Sequence, residues 1–192
     1  MPPKTTFDKD QVIQAAFAIV LEQGVVELSA RKVAERLGSS PAPVYSCFKS
    51  MQELEQAVVG KVTGLLYEYT GKEYTGFEPL DLSVGMVLFA RDYSKLYRTL
   101  FLPGSFFKDV VIDFHTKRTQ EIFVNMDFWG ISKDESDRLV RKLWVFTHGF
   151  ADVISIGLIE DTSDEYIIDF MRDGGRTLVS GSIGEQDRRN PQ

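Results

Sequence analysis

Residues 28–48 read Leu28-Ser29-Ala30-Arg31-Lys32-Val33-Ala34-Glu35-Arg36-Leu37-Gly38-Ser39-Ser40-Pro41-Ala42-Pro43-Val44-Tyr45-Ser46-Cys47-Phe48, and this stretch decides the fold. Ser29 is placed to cap a short helix whose apolar stripe is Val33, Ala34 and Leu37. Gly38 supplies the left-handed turn that ends it. Ser40 then reads as the cap of a second short helix, with Pro41 at its first position and Pro43 at its third. Neither proline is disruptive there, because the first four N–H groups of a helix have no partner within it. Two short helices joined by a tight glycine turn make a helix-turn-helix. In such a unit the first helix braces the second, whose N-terminal side chains reach base edges in the major groove of DNA.

Outward from this stretch the chain reads as helix after helix. Before it, Asp8 and Gln11 form a carboxylate capping box, Phe7 can staple onto Val12, and apolar residues recur at helical spacing until Gly24. The expected helix runs from about Lys9 to Gln23. After it come expected helices from about Met51 to Tyr69, from a cap at Asp81 to near Asp92, from Ser94 to Phe101, and from Phe106 to Phe128. Ser132-Lys133-Asp134-Glu135 is a capping box that opens a run to about Ile159, and Thr162-Ser163-Asp164-Glu165 opens a last helix ending near Ser180. No strand pair with turn chemistry is present in the sequence. The expectation is an all-α protein of about nine helices. It comprises a DNA-binding domain at 1–50, an effector-binding and dimerisation domain at 51–180, and a polar, disordered tail at 181–192.

Charge leaves room for this reading without demanding it. The net charge is −6, yet residues 1–50 carry six Lys/Arg against five Asp/Glu, and residues 51–192 carry sixteen against twenty-three. A near-neutral head on an acidic body fits DNA contact through a small face, with modest non-specific affinity. No apolar run reaches the roughly 18 residues of a membrane span, and the N-terminal residues lack the apolar core of a signal peptide. Cys47 stands alone, which excludes an internal disulfide and fits a reducing, cytoplasmic setting.

The stretch Val12–Leu54 resembles the TetR family DNA-binding domain. The resemblance is carried by Ala15-Ala16, Glu22-Gln23-Gly24, Leu28-Ser29, Val33-Ala34, Leu37-Gly38-Ser39-Ser40, Val44-Tyr45, Phe48-Lys49-Ser50 and Glu53-Leu54, about a quarter of the chain. Met51 stands where the family often has a lysine, which removes one phosphate contact. Lys49 and the N–H groups that open the next helix are then expected to compensate. Two further pieces, Phe89-Ala90 through Phe101 and Leu143 through Phe150, resemble helical segments of TetR-type effector domains. The resemblance implies a homodimer joined through the last two helices (about 133–159 and 163–180), double-stranded operator DNA as partner, and a buried pocket for an unknown small-molecule effector. Repression is the commoner mode in that family.

The DNA contacts expected on this basis are Ser29, Arg31, Ser39, Ser40, Pro41, Ala42, Pro43, Tyr45, Ser46 and Lys49. The second helix holds no Arg, Asn or Gln, so readout has to rest on methyl contacts, backbone groups and DNA shape. The plainer reading is that these residues only cap and pack a short helix. For an apolar or aromatic effector the expected contacts are Met86, Phe89, Tyr93, Tyr97, Phe101, Phe107, Phe114, Trp144 and His148, each of which can equally be core. His148 and Asp152, one turn apart, read first as a buried hydrogen-bonded pair. Cys47 reads as a small hydrophobe before a redox switch. No nucleophile–base motif, phosphate loop, cofactor site or metal-ligand spacing is present in the sequence. The reading is a regulator rather than an enzyme, the alternative being a helical-bundle carrier or enzyme with no DNA role.

Overall fold

Capping chemistry starts the helices where the sequence places it. The computed structural model describes residues 7–100, 107–123 and 132–189. Among these it holds nine α-helices and no strand: α1 Lys9–Gln23, α2 Ala30–Arg36, α3 Ala42–Cys47, α4 Met51–Thr70, α5 Glu78–Asp92, α6 Ser94–Leu100, α7 Lys108–Phe123, α8 Lys133–Ser155 and α9 Asp164–Arg189. At α1 the Asp8 carboxylate accepts from the Gln11 N–H at 2.8 Å while the Gln11 side chain accepts from the Asp8 N–H at 3.0 Å. Ser132 and Glu135 close the same reciprocal box on α8.

Four details differ from the sequence reading. Ser40 does not cap α3; Pro41 occupies the cap position, and no side chain serves there. Asp81 sits inside the first turn of α5 rather than ahead of it. It is buried and accepts hydrogen bonds from the Tyr74 and Thr75 N–H groups and the Thr75 hydroxyl, so it holds the connection before α5 in place. Helix α8 ends at Ser155, short of the expected Ile159, with Gly157 at positive φ just beyond its end. Finally, α9 continues to Arg189, so residues 181–189 are helical where the composition suggests a disordered tail. Glycines 181 and 184 lower helix propensity without stopping the helix, and Ser182 spends its hydroxyl on the Leu178 carbonyl at 3.0 Å. Phe101, Phe106, Phe128 and residues 190–192 lie outside the described residues.

Backbone packing divides the chain into two compact units, Met1–Leu65 with Lys95–Val110, and Leu66–Ser94 with Val111–Gln192. In the first, α1, α2 and α3 close over Val12, Ala16, Val20, Val33 and Val44, and α4 contributes Leu54, Val58 and Val62, all essentially inaccessible. Helix α6 belongs to this unit. Lys95 donates to the Glu22 carbonyl at the end of α1 at 2.7 Å. In the second unit α5 packs against both α8 and α9, and Val84 through Ala90 are buried without a break.

The second unit carries a polar clamp on its surface. Arg91 reaches Asp92 at 2.7 Å, Asp164 at 2.6 Å and the Thr162 carbonyl at 2.8 Å, and the Tyr69 hydroxyl donates to Asp92 at 2.8 Å. Burial opposes ionisation of Asp92, but the hydrogen bonds from Arg91 and Tyr69 outweigh it and hold the carboxyl below its ordinary pKa. A carboxyl depressed in the folded state stabilises above its unfolded pKa and loses that stabilisation as pH falls through the folded value. The expected result is that Asp92→Asn flattens the acid limb of the stability curve. Denaturation midpoints measured between neutral pH and pH about 3 should fall less in the variant than in the parent.

Candidate nucleic-acid interface

The turn between α2 and α3 is built from backbone. Gly38 has φ +64°, a conformation that costs an L-residue about 1 kcal/mol or more. The Gly38 N–H donates to the Glu35 carbonyl at 3.1 Å and the Ser39 N–H to the Ala34 carbonyl at 2.9 Å. This is the double bond pattern that closes a helix on a left-handed glycine. At the start of α2, Ser29 accepts from the Lys32 N–H at 3.3 Å. Both ends of the bracing helix are therefore fixed by local chemistry.

Helix α3 is anchored on one side only. Val44 is 1% exposed and Phe48, which caps the helix end, is 4% exposed. Ser40, Pro41, Ala42, Tyr45, Ser46 and Lys49 face solvent, and Ser29, Ser39 and Pro43 are half-buried. The Tyr45 ring is 55% exposed with little to hold it but the helix itself. The Ser46 hydroxyl is committed to the Ala42 carbonyl at 2.9 Å and the Ser39 hydroxyl to the Ser40 carbonyl at 3.0 Å. What the tip offers outward is chiefly proline and alanine carbon, the Ser40 hydroxyl and the Tyr45 phenol.

The cations of the head are mostly engaged. Lys32 pairs with Glu27 and donates to Gln23, Arg36 forks onto Glu22, and Arg31 pairs with Glu35 at 2.9 Å. The Arg31 pair is fully solvated, and exposed pairs of this kind exchange readily for another anion. Lys49 has no ion pair among the described residues. The entrance to α4 is less open than the sequence suggests. Glu53 already accepts the Lys49 backbone N–H at 2.8 Å and lies 3.6 Å from Lys9. The Lys49 N–H first, and then the Lys9 charge, hold its pKa below the ordinary carboxylate value.

The residues expected to hold an effector are not gathered into one place. Met86, Phe89 and Phe114 are buried core of the second unit, and Tyr97 and Phe107 are buried core of the first. Tyr93 packs with Phe89 and Tyr69 at ring separations near 5.6 and 5.8 Å. Trp144 is 44% exposed and lies 4.8 Å from the His148 ring. Asp152 is exposed, so the His148–Asp152 pair is not buried. The second unit instead holds a cleft of about 400 Å³ along α5, α8 and α9, and none of the expected effector contacts lines it. Phe146, which lines it and lies against Gly174, carries no sequence signal beyond its aromatic type. Among the described residues no cluster of three or more His, Cys, Asp or Glu is placed to hold a metal, and no helix is long and apolar enough to cross a membrane.

No family model matches the sequence, and no curated protein matches it. Solved structures do match. A transcriptional regulator from Rhodococcus sp. Rha1 superposes with a TM-score of 0.64 at 19% identity, over 90% of this chain and 96% of that one. A TetR-like transcriptional regulator from Rhodococcus sp. RHA1 superposes with a TM-score of 0.62 at 18% identity, again over 90% and 96%. The all-α fold is thus one found in TetR-like regulators.

Proposed function

We propose that this chain, whose fold is that of TetR-like regulators, is a homodimeric DNA-binding transcription regulator, acting as a repressor that a small ligand releases from a palindromic operator. The observation that carries the reading is the outward stance of α3, which keeps only Val44 and Phe48 for the core and turns Ser40, Pro41, Ala42, Tyr45 and Ser46 to solvent. A short helix with so little of itself buried is there to be presented. Residues 1–50 supply the DNA contacts in this reading, and residues 51–180 the effector site and the dimer contact.

In this reading the second copy packs on α8 and the residue that follows it, Ile156. Val145 is 61% exposed, Ile156 45% and Trp144 44%. A Cβ on Gly149, which lies between them, would meet nothing within 4 Å. Exposed apolar side chains of this kind, with Asp152 among them, suit a self-complementary two-fold contact. A two-fold pair presents its two α3 helices to successive major grooves, one helical turn of DNA or about 34–36 Å apart. A ligand that binds better to a state with another spacing weakens DNA binding by its differential affinity.

The test is retention of genomic fragments followed by gel shift at two or more salt concentrations. Lys49 and Arg31 give roughly two phosphate-neutralising cations per subunit, so log K should fall against log salt with a slope near −4 for the dimer. A slope steeper than about −8 would show a basic surface that α3 and its neighbours do not provide. Retention of no fragment above random DNA at low salt overturns the proposal.

A further inference from the structure

The cleft along α5, α8 and α9 has an apolar wall that includes Leu80, Leu143, Phe146, Met171 and Val179. Arg172 and Arg176 line it too, one turn apart on α9, and among the described residues no Asp or Glu does. That is a reversal of sign, since residues 51–192 carry sixteen Lys/Arg against twenty-three Asp/Glu. Like charges four residues apart on a helix repel each other. Asp169 offsets Arg172 from one turn back, whereas Arg176 pairs with no carboxylate among the described residues. Two neighbouring guanidiniums at the side of an apolar cleft of about 400 Å³ are a good match for one carboxylate with an apolar remainder, because guanidinium binds carboxylate through paired, charge-assisted hydrogen bonds.

We infer that this cleft binds an organic acid with an apolar chain or ring system, its carboxylate on Arg172 and Arg176 and its apolar part against Leu143, Phe146 and Met171. The acid's role as effector rests on the regulator reading above; its binding does not. The cleft is a different surface from the one proposed for the second copy. Leu143 and Val145 are two positions apart on α8 and so point about 160° away from each other.

Gly175, between the two arginines in sequence, also lines the cleft, and a Cβ there meets nothing within 4 Å. Gly175→Leu therefore fills the cleft without pressing on the backbone. The full-length protein, free of DNA, is titrated calorimetrically with dodecanoate below its micelle concentration and with dodecanol, and in parallel with naphthoate and naphthol. Acetate serves as the acid without a tail. The acid of at least one pair should bind at least about tenfold more tightly than its alcohol, the effect of losing a charged hydrogen bond, and acetate should not register. The pair that binds tells a chain-shaped from a ring-shaped ligand. Arg172→Gln combined with Arg176→Gln should bring the acid down to the affinity of the alcohol, and Gly175→Leu should abolish both. Equal affinity for acid and alcohol, no binding by either pair, or unchanged binding in Gly175→Leu overturns the assignment. Dissociation of the dimer by Gly175→Leu overturns it too, because the cleft then seats the second copy. Failure here with an intact gel shift leaves the regulator reading standing, whereas a bound acid without DNA retention removes that reading alone.

Discussion

Ala42→Glu should abolish operator binding while leaving the fold unharmed. Ala42 is exposed in the first turn of α3. A carboxylate in the first turn of a helix is favoured by the partial positive charge there, and the position packs against nothing that a longer side chain would displace. The stability change should stay within about 0.5 kcal/mol, as for most surface substitutions. With α3 in the major groove as proposed, the same carboxylate would face phosphates on both strands. Juxtaposed like charges at an interface cost several kcal/mol, and about 3 kcal/mol per dimer already lowers affinity more than a hundredfold. Gel shift and thermal melting on one preparation separate the two effects. Wild-type affinity in Ala42→Glu would mean that α3 does not approach DNA. Tyr45→Ala is the graded companion: with its exposed phenol against DNA as proposed, the loss of one hydrogen bond should cost about tenfold.

Gly85→Ala should destabilise the protein by about 3 kcal/mol or more, against the direction that helix propensity alone predicts. Within a helix alanine is favoured over glycine by about 1 kcal/mol, and at an open position the substitution would stabilise. At Gly85 a Cβ would stand 2.2 Å from the Tyr69 carbonyl oxygen, 2.7 Å from its carbon and 2.9 Å from the Thr70 Cα. All three are backbone atoms at the end of α4, so no side chain can swing aside. Thr70 is itself buried, with its hydroxyl bonded to the Leu66 carbonyl at 2.8 Å. Relief requires the two helices to part along their crossing, which opens space among the buried residues from Val84 to Ala90. Guanidinium denaturation should show a lower midpoint, and the melting temperature should drop by roughly 6–12 °C. Gly175→Ala, which has open space, is the control and should be neutral or mildly stabilising. Equal stability of Gly85→Ala and the parent would contradict the close crossing of α4 and α5.

The helix-turn-helix was legible because its signals are local. Asp8 with Gln11, Ser29 and Gly38 each act within four residues of themselves, and each does in the structure what its type predicts. Ser40 failed by one position: with prolines at 41 and 43 the chain enters helical geometry without a side-chain cap, and its hydroxyl remains outward. Asp81 failed for a different reason. A carboxylate near a helix start serves equally as a cap or as an acceptor for a preceding loop, and only the fold of residues 71–77 decides between them. Which side chains line the cleft of the second unit was beyond reach from composition. Phe89 lies on a helix buried on all sides, so its spacing carries no information about which face meets a cavity. A usable signal was present on α9, where Arg172, Gly175 and Arg176 put two cations and a missing side chain on one face of an otherwise acidic body.

Because α6 belongs to the same compact unit as the first three helices and Lys95 holds a carbonyl in the last turn of α1, this first unit is not a modular cassette. Recombination that exchanged residues 1–65 for those of a relative would sever the head from a portion of itself encoded thirty codons downstream. A graft of this unit onto another chain therefore has to carry two separate stretches of the gene, residues 1–65 and 95–110, if its packing is to survive the transfer.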